Sequence, residues 1–388
     1  MKTTKRKICV VITARPSYSR IRTALAAIRD HADLELQLVV AASALLDRYG
    51  NAVKVIEREG FRIDRTVYMV VEGENLVTSA KSTGFGLAEL ATVFNDLKPD
   101  VVISIADRYE TIATSIAAAY MNIPLAHVQG GEVTGSIDEK TRHANTKFAD
   151  IHLVSCENAR TRVLRMGENP DMVFVTGCPS IDLAKQALAD DKGDVAKLLS
   201  DYTGVGAPVD PAKPYLVVMQ HPVTTETHAA KDHMRLTLEA VHSLGYQALW
   251  FWPNVDAGSD GTSSAIRSFR ENHPNMNAHF YKNMAPMDFL SLLINSRGIV
   301  GNSSVAIREC SYLGVPAVNI GSRQSRRDRG RNVVDVPHDR AAITSAIQNM
   351  WNQQERPRDT VYGDGNAGQN IADVLAKVPL TIEKTLTY

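Results

Sequence analysis

The 388-residue sequence predicts an α/β protein made of two doubly wound halves in tandem, each a parallel sheet covered by helices on both faces. Three observations carry that expectation. Short β-branched runs alternate with longer amphipathic segments, which requires crossover connections and hence parallel strands. The alternation is interrupted between Ala189 and Pro214, where the chain turns charged and then Gly- and Pro-containing, as an interdomain region does. The length suits two domains of about 100 to 200 residues each.

The elements follow in order. "KICVVIT" is a buried strand, "IRTALAAIRD" a helix, "LELQLVVAA" a strand and "YGNAVKVIEREG" a helix. Next come the strand "DVVISIA", the helix "TIATSIAAAYMN", the strands "IPLAHVQ" and "ADIHLVSC", the helix "ENARTRVLRMG" and the strand "MVFVTG". After the interruption a second series runs through "YLVVMQH", a helix near "HAAKDHMRLTLEAVHSLG", "QALWFWPN", a helix around Ser264 to Glu271, and "AHFYKN". It ends with the helix "MDFLSLLINS", "GIVGNSS", the helix "VAIRECSYLG" and "PAVNIG". No heptad, low-complexity tract or short-period repeat interrupts either series.

Composition excludes several function classes. The 43 basic residues balance 43 acidic ones, so neither nucleic acid nor an anionic membrane is an expected partner. Cys9, Cys156, Cys178 and Cys310 lack CxxC spacing, which argues against a zinc ribbon or disulfide framework and for a reduced, cytoplasmic setting. The first apolar run is too short for a signal sequence or membrane span. There is no GxxxxGK[ST], and the one GxGxxG, Gly363 to Gly368, follows no predicted strand, hence no expected NTPase or dinucleotide chemistry, and no cofactor is called for.

Open parallel sheets bind ligands beyond the carboxyl ends of their strands, so the polar residues after each apolar run are the candidates. In the first half these are Arg15, Asp107, and Gln129 to Glu132. In the second they are His221, Asn254, Asp256, and Asn302 to Ser304. Ser303 and Ser304 stand where a strand yields to a helix, and either hold a phosphate on free N–H groups or simply cap that helix. Glu309 is placed to accept from ribose hydroxyls or to sit solvated on a helix. The basic loop "GSRQSRRDRG" offers Arg323, Arg326, Arg327 and Arg329 to a diphosphate, or as surface charge. In the first half, Asp107 is an acid/base candidate or a helix N-cap, and Glu132 and Asp138 lie in a glycine-containing loop. A carboxylate pair there suits the making and breaking of a C–H bond. His221 is a further acid/base group or phosphate donor. His127 points into the fold, and with His143 it lacks the spacing of a helical metal pair, so no metal is expected.

The segments "ADRYE", "HVQGGEVTGSIDEKTRH", "GCPSID", "QHPVTTE", "PNVDAGS", "GNSSVAIRE" and "YGDGNA" resemble, in this order, the hydrolysing UDP-N-acetylglucosamine 2-epimerase family, which feeds sialic and legionaminic acid biosynthesis. The resemblance implies a glycosyltransferase-B-like fold with the active site in the interdomain cleft. Residues 1–185 would form the N-terminal domain, 186–366 the C-terminal nucleotide-binding domain, and a helix within 367–388 would pack back on the first. It implies removal of the C2 proton, anti elimination of UDP and hydration of the glycal to a free N-acetylmannosamine-type sugar. Asp107 and Asp138 match acid/base positions. Arg15, Ser19, His221, Asn254, Ser303, Ser304 and Glu309 match substrate or nucleotide positions. A homo-oligomer, dimer or tetramer, is implied as well. Where relatives read "HIEGGE" this chain reads "HVQGGE", so Gln129 replaces a glutamate, and Glu132 is the nearest acid in sequence. That change is expected to accompany a substrate modified at C4 and C6, such as UDP-N,N'-diacetylbacillosamine. The rivals are a non-hydrolysing 2-epimerase, from whose "TGTRPE" loop "TARPSYS" departs, a glycosyltransferase of the same fold, and a non-catalytic nucleotide-sugar binder.

Overall fold

The computed structural model describes residues 5–47, 51–73, 75–133, 137–223, 225–253 and 258–387. They fall into two compact units. One comprises the described residues of Met1–Val133, Ile137–Asp182 and Tyr362–Tyr388, the other those of Leu183–Val361.

The first unit is built on seven strands: β1 (Arg6–Ile12), β2 (Leu34–Ala41), β3 (Arg65–Val67), β4 (Val101–Ile105), β5 (Leu125–Val128), β6 (Ile151–Val154) and β7 (Val173–Val175). They are ordered β3-β2-β1-β4-β5-β6-β7 and are all parallel. Strand β1 shows why its sequence is apolar throughout. Ile8, Val10 and Ile12 enter the core beneath the helices Arg15–Asp30 and Ala367–Lys377, while Cys9 and Val11 enter the core on the opposite face. That second core is closed by Leu90, Val93 and Phe94 of the helix Leu76–Leu97 and by Ala113 and Ala117 of the helix Thr111–Tyr120.

The second unit repeats the plan with β8 (Gly204–Gly206), β9 (Tyr215–Met219), β10 (Gln247–Phe251), β11 (Ala278–Tyr281), β12 (Gly298–Gly301), β13 (Ala317–Ile320) and β14 (Val333–Val336). Their order is β14-β13-β12-β9-β10-β11-β8, parallel except for β8, which runs antiparallel along the edge of β11. Leu216 and Val218 of β9 face the core completed by Met234, Leu238, Ile343 and Ile347. Tyr215 and Val217 face the other core, with Leu290, Leu292 and Leu293.

Several elements differ from the sequence expectation. The stretch Ala189–Pro214 is no linker: it lies within the second unit and supplies the helix Val195–Ser200 and strand β8. "VAIRECSYLG" is not one helix but two short ones, Ser304–Ile307 and Glu309–Leu313, meeting at Arg308. The 22-residue helix Leu76–Leu97 escapes a periodicity search because Gly84 and Gly86 interrupt it. It is fixed instead by a capping box between Asn75 and Thr78, and Gly86 gives room to Met69 and Ala113. The four cysteines are buried thiols. Among the described residues, no helix is long and apolar enough to cross a membrane.

Candidate active site

In each sheet the chain reverses its winding once, and such a switch point opens a crevice at the strand ends. In the first unit it lies between β1 and β4, in the second between β9 and β12. The residues leaving those four strands are Arg15, Asp107, His221 and Asn302.

At the first switch point Asp107 leaves β4 through Ala106, whose φ of 59° is left-handed without being glycine. That strain persists because the neighbours fix it: Ala106 N donates to Val128 O at 2.9 Å, and its own carbonyl accepts from the His127 ring at 2.8 Å. Asp107 is not a helix cap, since the following helix starts at Thr111 with Glu110 in the cap position. Its carboxylate is ion-paired with Arg142, which is 1% exposed, and Arg20 approaches to 4.0 Å. Arg142 also donates to Glu132 O at 2.9 Å, joining the two strand ends. Arg15 opens the helix after β1 and Ser19 lies one turn on, bonding back to Arg15 O at 3.4 Å.

Asp138 was expected in a loop, but it stands in the first turn of the helix Ile137–Phe148, where a carboxylate is favoured by the N-terminal dipole. Asp138, Arg142, Asn145 and Thr146 lie three or four residues apart on one face. That face is anchored toward β4 and β5, because Asn145 bonds Ser115 Oγ and Thr111 Oγ1, both at 2.8 Å, while Thr146 Oγ1 meets His127 Nδ1 at 3.1 Å. His127 is fully buried, as expected, and burial pushes its pKa down to about 4, so it is a neutral brace.

Gln129 leaves β5 with a second non-glycine left-handed backbone, φ 66°. It is 1% exposed, and its amide donates to Cys178 Sγ at 3.2 Å while its Oε1 has no partner among the described residues. Glu132 is buried, its carboxylate accepting from Ser155 Oγ at 2.8 Å. The turn between them needs Gly131, φ 73°, since a Cβ there would strike the Ala159 carbonyl.

At the second switch point His221 and Asn302 exchange hydrogen bonds: His221 N donates to Asn302 Oδ1 at 2.7 Å, and Asn302 Nδ2 to His221 O at 2.8 Å. Burial, and then the Arg323 charge, push His221 down to about 3, leaving a neutral imidazole at physiological pH. Ser303 caps the helix Ser304–Ile307, its oxygen accepting from Val305 N at 3.4 Å, so of its two sequence readings the cap is present. With only four residues that helix supplies little dipole, and positive charge comes instead from the arginine loop. There Arg329 is engaged with Asp335 through two bonds and Arg326 is exposed. Arg323 donates to Asn302 O at 3.2 Å, and Arg327 is buried. Ser304 is half-buried and Glu309 opens the next short helix. Asn254 and Asp256 lie outside the described residues.

Arg142, Arg20 and Gln324, which donates to Asn302 O at 2.9 Å, were not singled out in the sequence. The four-residue step from Asp138 to Arg142 is the signal that could have found the first of them.

Two Rossmann-like sheets with polar strand ends at both switch points define a glycosyltransferase-B-like fold. The chain matches the UDP-N-acetylglucosamine 2-epimerase family over residues 26–376 and belongs to it. It is accordingly a UDP-sugar 2-epimerase. A Legionella pneumophila protein named UDP-N,N'-diacetylbacillosamine 2-epimerase (hydrolyzing) is 31% identical over 97% of each chain. A Campylobacter jejuni GDP/UDP-N,N'-diacetylbacillosamine 2-epimerase (hydrolyzing) is 30% identical, over 85% of this chain and 84% of that one. In fold, the chain is similar to the crystal structure of UDP-GlcNAc 2-epimerase from Neisseria meningitidis bound to UDP-GlcNAc, with a TM-score of 0.79 at 18% identity, over 96% of this chain and 100% of that one.

Proposed function

We propose that the chain is a hydrolysing 2-epimerase that converts UDP-N,N'-diacetylbacillosamine, or more slowly UDP-N-acetylglucosamine, to UDP and a free N-acetylmannosamine-type sugar for nonulosonic acid biosynthesis. The observation that carries this reading is the match, over 97% and 85% of this chain, to relatives named as hydrolysing 2-epimerases of the diacetylated sugar. The site chemistry is compatible with it. A carboxylate removes the C2 proton, the C–H electron pair forms the C1–C2 double bond, and the C1–O pair departs with UDP. Water then returns OH to C1, and a proton adds to C2 on the opposite face.

Asp107 and Asp138 are the proposed proton carriers. The guanidinium groups of Arg142 and Arg20 fix the position of the Asp107 carboxylate at the end of β4. Gln129 can donate to and accept from the sugar but cannot carry a proton at neutral pH, which sets the chain apart from relatives with glutamate there. Glu132, held by Ser155, supports the loop from beneath. The second unit is the proposed nucleotide domain. There His221, Asn302, Ser303, Ser304, Glu309, Arg323 and Arg327 hold UDP, and the arginines ease expulsion of the diphosphate.

Incubation with each UDP-sugar in D2O, followed by NMR, tests the reading. Free UDP with deuterium at C2 of a free mannosamine-type sugar supports it. Deuterated nucleotide sugar with no free UDP overturns it in favour of the non-hydrolysing reaction. Equal rates on both sugars remove the assigned substrate preference.

A further inference from the structure

We propose that Glu226, His233 and His338 form a binding site for a first-row divalent cation at the carboxyl edge of the second sheet. The three side chains come from separate elements. Glu226 follows β9, His233 lies in the first turn of the helix Ala230–Leu244, and His338 follows β14. One ligand atom from each lies within 4.8 Å of the other two, the single such group of three or more among the described residues. Two imidazoles and one carboxylate make a borderline donor set, suited to Zn2+, Co2+, Ni2+ or Fe2+ rather than Mg2+ or Ca2+.

The surroundings favour a ligand over a salt bridge. Both ring nitrogens of His338 lack a hydrogen-bond partner among the described residues although the atoms themselves are inaccessible, and a buried polar group left unsatisfied is destabilising. The His233 and His338 rings stack in parallel, centroids 3.5 Å apart and 3° from coplanar orientation, which two imidazolium ions would not do. Glu226 is oriented from behind by Ser322 Oγ, which donates to one carboxylate oxygen, while the other lies 3.8 Å from His233 Nδ1. Gly321 has no side chain to block the His338 ring. Parallel rings point their lone pairs side by side, so metal uptake turns one ring, and His338, with no hydrogen bond to break, is the one that turns.

The test uses the full chain, stripped with chelator and titrated with CoCl2 and ZnSO4. One equivalent of Co2+ is expected with visible d–d absorption, displaced by Zn2+, together with a zinc-dependent rise in melting temperature. His338→Ala and His233→Ala should weaken binding more than about 100-fold, Glu226→Gln at least about tenfold. His242→Ala, in the separate histidine pair His242–His273, should bind like the parent. Absence of saturable Co2+ binding in the parent, or unchanged binding in folded His338→Ala, overturns the proposal. The readout is metal uptake, so it is independent of the assigned sugar chemistry.

Discussion

Glu168 is the place where one substitution tests several elements at once. Its side chain is 2% exposed and accepts from Lys147 Nζ at 2.6 Å, Lys384 Nζ at 2.6 Å and His152 Nε2 at 3.0 Å. Lys147 lies in the last turn of the helix whose first turn holds Asp138. Lys384 belongs to the C-terminal segment, which is also pinned by Thr387 N to Gly167 O at 3.1 Å and by Lys384 to the carbonyls of Thr146 and Ala149. Burial alone would raise the Glu168 pKa, but the hydrogen bonds from His152, Lys147 and Lys384 outweigh it and bring it from 4.5 to about 2. A depression of that size corresponds to roughly 3 kcal/mol at neutral pH, an upper limit because the lysines are partly exposed and can turn to water. Because the folded pKa is depressed, the contribution is complete above about pH 5 and is lost as pH falls toward 2. Glu168→Gln should therefore cost about 2–3 kcal/mol at pH 7, a fall of roughly 4–12 °C for a domain of this size, measured by calorimetry. The parent should also lose stability more steeply than the variant between pH 5 and pH 2. A shift below about 2 °C together with parallel acid profiles would refute the assignment of Glu168 as the hub.

Three further outcomes are expected. Asp107→Asn and Asp138→Asn should each lower kcat by at least about 100-fold with UDP affinity within about twofold by titration calorimetry, and normal turnover in either variant removes that residue from the mechanism. Gln129→Glu places a carboxyl where the present side chain is 1% exposed, so stability should fall by about 1–3 kcal/mol. Its kcat/KM ratio should move toward UDP-N-acetylglucosamine, and an unchanged ratio denies Gln129 a part in specificity. Gly131→Ala should destabilise by about 2–4 kcal/mol in urea unfolding, because the new Cβ meets the Ala159 backbone at a left-handed φ, and a loss under about 1 kcal/mol would show that the turn relaxes.

The parallel strands were legible because strands buried on both faces are apolar without alternation, as in "CVVI" and "VVISI". Three of the four edge strands were not: Arg65–Val67, Gly204–Gly206 and Val333–Val336 bury too little to leave a pattern. Asp138 was singled out in the sequence but misplaced as to element, since the glycines before it speak for a loop while "IDEKTRHANTKF" carries a polar helix. Its buried face is lined by Arg142, Asn145 and Thr146, whose burial is made tolerable by Asp107, Ser115, Thr111 and His127. Hydropathy cannot report such a face, because the compensation comes from distant strands.

The sequence by itself determined the two-sheet α/β plan and the strand ends that carry polar groups, because both follow from local periodicity and from the rule that ligands meet parallel sheets at their carboxyl edges. Tertiary structure alone decided which charges those groups face. Pairing Asp107 with Arg142, setting His221 against Asn302 and Arg323, and gathering Glu226, His233 and His338 are long-range events. A side chain's protonation state depends on neighbours within a few ångströms, and in this fold those neighbours come from other strands and helices.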